Sequence, residues 1–223
     1  MSYVVGESEL NCFRFIKKVL DELYNQLPPS PDGKDITIQR SLDRFRDEYS
    51  YLDIGEVPNY NDYFKNFAYI YCYVAVHANI VYNLLNLDGS LELARAFDGN
   101  ALKLSCVGGG PGSDFLGILK FLRQNKKEAL LNFEIYDKEA NWFESLKMWR
   151  KLLPDVYNKF QVSARFAMVD VCNPESWKKY PQLWDADLFT MSYMMSEVYS
   201  KKGEANVFFR HGSNELDSFT LSD

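Results

Sequence analysis

The stretch CVGGGPGSD, residues 106 to 114, holds four of the chain's 12 glycines. Glycine loses more backbone freedom on folding than any other residue, so a run this dense marks a place that needs bare backbone. It sits between an apolar run, ALKLSCV, and a helical pattern, DFLGILKFLRQ. Such a loop can cradle a phosphate, seat a nucleoside or simply turn the chain. A P-loop requires GxxxxGK followed by Ser or Thr, with the lysine reaching the β- and γ-phosphates. Neither that spacing nor the lysine is present. A dinucleotide fingerprint requires GxGxxG, whose third glycine permits close helix–strand packing. Gly108 and Gly110 fit it, but the third position is Ser113, and the glycine comes one place early, at Gly112. The spacing present is GxGxG. Downstream, Asp137, Asp170, Ser192, Tyr193 and Glu197 stand at or just after apolar runs of strand length.

The elements that must position these residues follow from periodicity. After Asn100, LKLSCV (102–107), LNFEIY (131–136), VSARFAMVDV (162–171) and ADLFTMSY (186–193) read as strands. DFLGILKFLRQ (114–124) and EANWFESLKMWRKLL (139–153) read as helices, the second with Trp142, Leu146, Trp149 and Leu153 on one face. This alternation predicts an α/β domain with a parallel sheet. The glycine loop then falls at the carboxyl edge of the sheet, where open α/β folds bind ligands.

The first hundred residues read as helical. Phe13, Ile16, Leu20, Leu23 and Leu27 recur at helical steps across residues 8–27, and LPPSPDG stops that helix. A more charged helix is expected over 36–50, a loop over 51–60 and a short helix at 91–97. Between the last two, Asn61 or Asp62 can cap a long helix to about Leu85, apolar on every side and therefore expected to be buried. The expected organisation is a helical cap region (1–99), an α/β domain (100–210) and a polar tail (211–223).

In LSCVGGGPGSD and LNFEIYDKE the chain resembles the class I, seven-strand S-adenosylmethionine-dependent methyltransferases, over about residues 100 to 200. The resemblance implies a Rossmann-like sheet. It implies that Gly108, Gly110 and Gly112 let the backbone pass close to the aminoacyl part of S-adenosylmethionine. Asp137 would hold the ribose hydroxyls, through charge-assisted hydrogen bonds that are stronger than neutral ones. Asp170 would lie near the adenine amino group. LFTMSYMMSE (188–197) would take the place of the fourth motif, setting Ser192 and Tyr193 at the cofactor and acceptor, with Glu197 as a base. Helices ahead of the first motif would cover the cofactor, making Tyr60, Tyr63 and Phe64 candidates for stacking on a ligand.

There are departures. Cys106 stands where the family often has an acid. The Asn/Asp-Pro-Pro-Tyr signature for planar amide or amino nitrogens is absent. No sequence suited to three further strands follows the fourth, so the sheet is expected to be incomplete, with about four strands and strand four at an edge. Some RNA-methylating members carry a similar GGGPG loop, which admits an RNA base as acceptor. A net charge of −6 and a pI of about 5.1 oppose a nucleic-acid partner. Two other readings stay open: a non-catalytic S-adenosylmethionine-binding sensor or partner-binding protein, and a nucleotide-dependent oxidoreductase, which Ser113 disfavours.

Composition bounds the rest. Of 223 residues, 47% are hydrophobic and 25% charged, enough to bury a substantial core. Cys12, Cys72, Cys106 and Cys172 are far apart without a CxxC pair, so neither a zinc site nor a disulfide framework is expected. MSYVVGESELNCF is not a secretory signal. FAYIYCYVAV (67–76) is too short to span a bilayer, and His77, Asn79 and Asn83 interrupt its continuation. An intracellular protein, cytoplasmic or nuclear, without metal or membrane, is the expectation.

Overall fold

The computed structural model describes residues 7–49, 60–87, 97, 99, 101–125, 130–156, 160–192, 194–198 and 201–215. Strands β1 (Ala101–Val107), β2 (Leu130–Asp137), β3 (Gln161–Met168) and β4 (Leu188–Thr190) form one all-parallel, Rossmann-like sheet. Their order is β3-β2-β1-β4. The chain steps outward from β1 through β2 to β3, then returns to pair β4 on the other side of β1. Loops leaving β1 and β4 therefore diverge, which opens a crevice at their carboxyl ends. Register places Cys106 beside both Ile135 and Thr190.

Alternation along the strands builds two cores. Leu102, Leu104 and Cys106 join Leu131, Phe133, Ile135 and Ala164 in the larger one. Phe15 of α1 (Glu7–Gln26), Phe45 of α2 (Lys34–Tyr49) and Val74 and Ala78 of α3 (Tyr63–Leu87) belong to the same cluster. The helices before the sheet thus share its core, alongside Phe115 of α4 (Ser113–Gln124) and Trp149 of α5 (Trp142–Val156). Each large apolar side chain among them, such as Phe15 or Phe115, contributes about 1.5–3 kcal/mol by leaving water. Val107 and Tyr136 face the smaller core, with Trp177 of α6 (Pro174–Trp177) and Phe208 of α8 (Lys202–Glu215). A further turn, α7 (Met195–Val198), follows β4.

Helix α3 begins at the expected cap: Asp62 accepts hydrogen bonds from the backbone N–H groups of Phe64 and Lys65 at 2.8 and 3.0 Å. It ends at Leu87, close to the expected bound, but it is not buried all round: Tyr71, Val76, Ile80, Leu84 and Leu87 are exposed, because only one face meets the core. By length and composition it is the one helix among the described residues able to cross a membrane. Here it packs on α4: a Cβ at Gly117 would lie 2.6 Å from the Ala78 carbonyl oxygen. Residues 70–74 form a π turn, leaving Tyr69 just before it and Val74 in the core.

Several boundaries differ from the periodic reading. β4 spans three residues, not 186–193. Asp187 instead turns the chain, accepting from Lys103 N–H at 2.8 Å and donating its own N–H to Lys103 O at 3.0 Å. β3 ends at Met168, so Asp170 lies beyond the strand. Helix α5 starts at Trp142 because Asp137 holds the N–H of Glu139 in a turn, at 2.9 Å. Helix α8 continues to Glu215, into the stretch expected as a polar tail. The short helix expected at 91–97 lies, Phe97 apart, outside the described residues, as do the tail beyond 215 and the loop ahead of Tyr60.

Candidate functional site

Gly108, Gly110 and Gly112 all have positive φ, at 64°, 47° and 93°. Side chains are strained there, and glycine is not. The neighbours of Gly108 and Gly110 differ. A Cβ on Gly108 would lie 2.7 Å from both Cβ and Sδ of Met194, so packing demands glycine. A Cβ on Gly110 would meet nothing closer than Trp142 Nε1 at 3.8 Å and Asp137 Oδ2 at 3.9 Å. Its bare face opens onto the crevice.

Three of the four loop glycines turn their N–H groups inward. Gly108 donates to Tyr136 O at 2.7 Å, Gly112 to Gly109 O at 2.8 Å, and Gly110 to Asp137 Oδ2 at 2.9 Å. Pro111 has no N–H. Asp137, at the end of β2, lies against the loop and is 8% exposed. Burial pushes its carboxyl up to about 6; the Glu139 and Gly110 N–H groups pull it down, and the charges of Glu197 and Glu139 push it up. At neutral pH it is a carboxylate with one hydrogen bond on each oxygen and lone pairs to spare.

Together these residues line an open-sided cleft of about 790 Å³, solvent at its mouth included. Gly108, Gly110, Asp137, Asp170 and Ser192 meet there; Gly112 lies behind, packed on Ile135 and Trp149. Tyr193 lies outside the described residues. Asp170 accepts from Cys172 N–H at 2.9 Å, and its own N–H donates to Ser176 Oγ at 2.8 Å. Tyr60 reaches the cleft, whereas Tyr63 is exposed and Phe64 packs with Leu27 and Phe67, so neither of the latter two stacks there.

No protein-family model matches the chain, and neither a curated protein nor a solved structure matches it. The functional reading therefore rests on the site.

Three features escaped the sequence reading. Tyr60, Tyr69 and Trp142 form a mutual ring triangle, with centroids 5.3–5.5 Å apart, along one wall of the cleft. Periodicity marks Tyr69 and Trp142 only as core. Tyr60 Oη donates to Glu197 Oε1 at 2.8 Å, tying the segment just ahead of α3 to the turn after β4. The third is Asp114, 2% exposed in the first turn of α4. Cys106 is fully buried and its thiol is pushed far up, first by burial and then by the charge of Asp114. A carboxyl thus stands beside the position where the strand itself lacks one. The signal available was an Asp directly after the glycine loop.

Burial pushes the Asp114 carboxyl up, and the Thr190 and Ser192 hydroxyls pull it down. The Thr190 influence is one of proximity, since neither Asp114 Oδ2 nor Thr190 Oγ1 makes a hydrogen bond of good geometry. Asp114→Asn is expected to keep wild-type stability within about 1 kcal/mol, and Asp114→Ala to lose about 1–3 kcal/mol by leaving buried polar neighbours unmatched. Urea denaturation of the two variants checks this.

Proposed function

We propose that this chain is an S-adenosylmethionine-dependent methyltransferase. The observation that carries the reading is the inward turn of the glycine loop. A pyrophosphate site needs free loop N–H groups aimed at the ligand. Here those of Gly108, Gly110 and Gly112 are used within the protein, and a carboxylate lies against Gly110. That arrangement repels a phosphate.

Charge supports the same reading. The cleft is lined by Asp137, Glu139, Asp170 and Glu197 against Lys138 and Lys201. A sulfonium cation fits such a lining and a dinucleotide does not. S-adenosylmethionine, when bound, supplies an activated methyl group. The chain contributes position: the bare face of Gly110 admits the ligand closely, Asp137 accepts from the ribose hydroxyls, Asp170 stands at the adenine end, and Ser192 stands beside Met194 at the turn after β4. Holding two reactants in line is the main source of acceleration for such a transfer.

A pH test follows from Asp137. Its folded pKa, about 6, lies above the ordinary 3.8, so between these values the unliganded fold binds the extra proton. Its contribution to stability is full below about 3.8 and is lost as pH rises through about 6. A ligand that donates hydroxyls to the carboxylate reverses this. Affinity for S-adenosylmethionine is therefore expected to fall on acidification through pH 6, with proton release on binding near that pH. Calorimetry in buffers of different ionisation enthalpy measures both; affinity flat from pH 5 to 7.5 contradicts the ribose role of Asp137.

A further inference from the structure

Glu197 adds to the negative lining that suits a sulfonium, but no cofactor contact is assigned to it above. It lies in the same cleft, with Oε1 held by the Tyr60 hydroxyl at 2.8 Å. Tyr60 packs on Tyr69 and Trp142, which are 9% and 2% exposed, so three rings stand together as a dry wall beside one carboxylate. Aromatic faces with a nearby carboxylate recognise an organic cation. We propose that the acceptor is an aliphatic amine, bound as its ammonium between this wall and Glu197, with Glu197 as the catalytic base. This rests on the methyltransferase reading and adds the substrate class.

Other acceptor classes fit less well. A carboxylate acceptor would enter a cleft that carries Asp137, Glu139, Asp170 and Glu197 against two lysines, Lys138 and Lys201, a net negative lining. An alcohol needs a far stronger base than a carboxylate to become nucleophilic. An ammonium needs to lose only one proton before its nitrogen has a lone pair. Burial pushes the Glu197 carboxyl up, with the Tyr60 hydrogen bond and the charge of Lys138 opposing, so it is suited to take that proton. The nitrogen–carbon bond then forms as the carbon–sulfur bond of the sulfonium breaks, its electron pair remaining on sulfur. The product is again an ammonium and the sulfur compound a neutral thioether.

The test uses the full chain loaded with S-adenosylhomocysteine, whose own binding is measured first. Phenylethylamine, phenylethanol and phenylpropionate, which differ mainly in their end group, are then titrated by calorimetry. The amine is expected to bind at least about tenfold tighter than either other probe, the effect of one charge-assisted contact. In Glu197→Gln this preference is expected to shrink to about threefold or less, with S-adenosylhomocysteine affinity kept within about twofold. With S-adenosylmethionine, mass spectrometry is expected to find methylated amine. Equal or tighter binding of the alcohol or carboxylate overturns the proposal, as does no amine binding to the loaded protein. Amine preference that survives Glu197→Gln overturns the role of Glu197. The wild-type ranking decides even if the variant does not fold. If S-adenosylhomocysteine itself does not bind, the cofactor reading fails and this inference fails with it; if it binds and the amine has no advantage, only this inference fails.

Discussion

Gly108→Ala is expected to melt about 10 °C below the wild type, and Gly110→Ala only a few degrees below it. Both replace a residue at positive φ, which costs a β-carbon about 1–2 kcal/mol. Only at Gly108 does the new carbon collide with packed protein, 2.7 Å from Met194 Cβ. Overpacking of that kind costs about 1–3 kcal/mol more. For a chain of this size each kcal/mol shifts the midpoint by about 2–4 °C. The ligand response should rank the other way. Gly110→Ala puts a methyl into the cleft itself, so a protein that is still folded should lose S-adenosylmethionine affinity. Thermal melts with and without ligand separate the two; equal stability losses would mean that Met194 is not packed on the loop.

Asp137→Ala is expected to weaken S-adenosylmethionine binding by about 10- to 150-fold, the worth of roughly 1.5–3 kcal/mol from hydrogen bonds to a charged acceptor. Two effects add. The ribose loses its acceptor, and the N–H groups of Gly110 and Glu139 lose theirs, so the loop and the turn before α5 are freed from each other. Asp137→Asn separates these, because its amide oxygen can keep one backbone contact. Asp170→Ala should cost less, since that carboxylate already closes its own turn through Cys172 N–H. Calorimetry on the three variants gives the order; undiminished affinity in Asp137→Ala would remove the ribose assignment.

What was legible in the sequence was local. Glycine spacing, the strand before it and the helix after it lie within one short segment, and Asp137 ends a strand whose alternation is plain. β1, β2, α4 and the Asp62 cap fall close to their expected bounds for that reason. β4 was overestimated because an apolar run says nothing about pairing: only Leu188–Thr190 find partners on β1, and Met191 and Ser192 already turn toward the smaller core and the cleft. The wall of the cleft was hidden for a different reason. Tyr69 and Trp142 carry the same spacing as core residues, and the Tyr60–Glu197 contact joins residues 137 positions apart. Asp114 was passed over because a helix-start acid is common, and only burial beside Cys106 distinguishes it.

The most direct test of the central claim is a calorimetric comparison of S-adenosylmethionine, S-adenosylhomocysteine and NAD on the full chain at neutral pH. A cleft with inward-turned glycine N–H groups and excess carboxylate predicts that both sulfur ligands bind at one site, each at least about tenfold tighter than NAD, as expected when a buried carboxylate meets a phosphate instead of a hydroxyl donor. NAD binding as tightly as S-adenosylmethionine, or no binding of either sulfur ligand, would contradict the assignment.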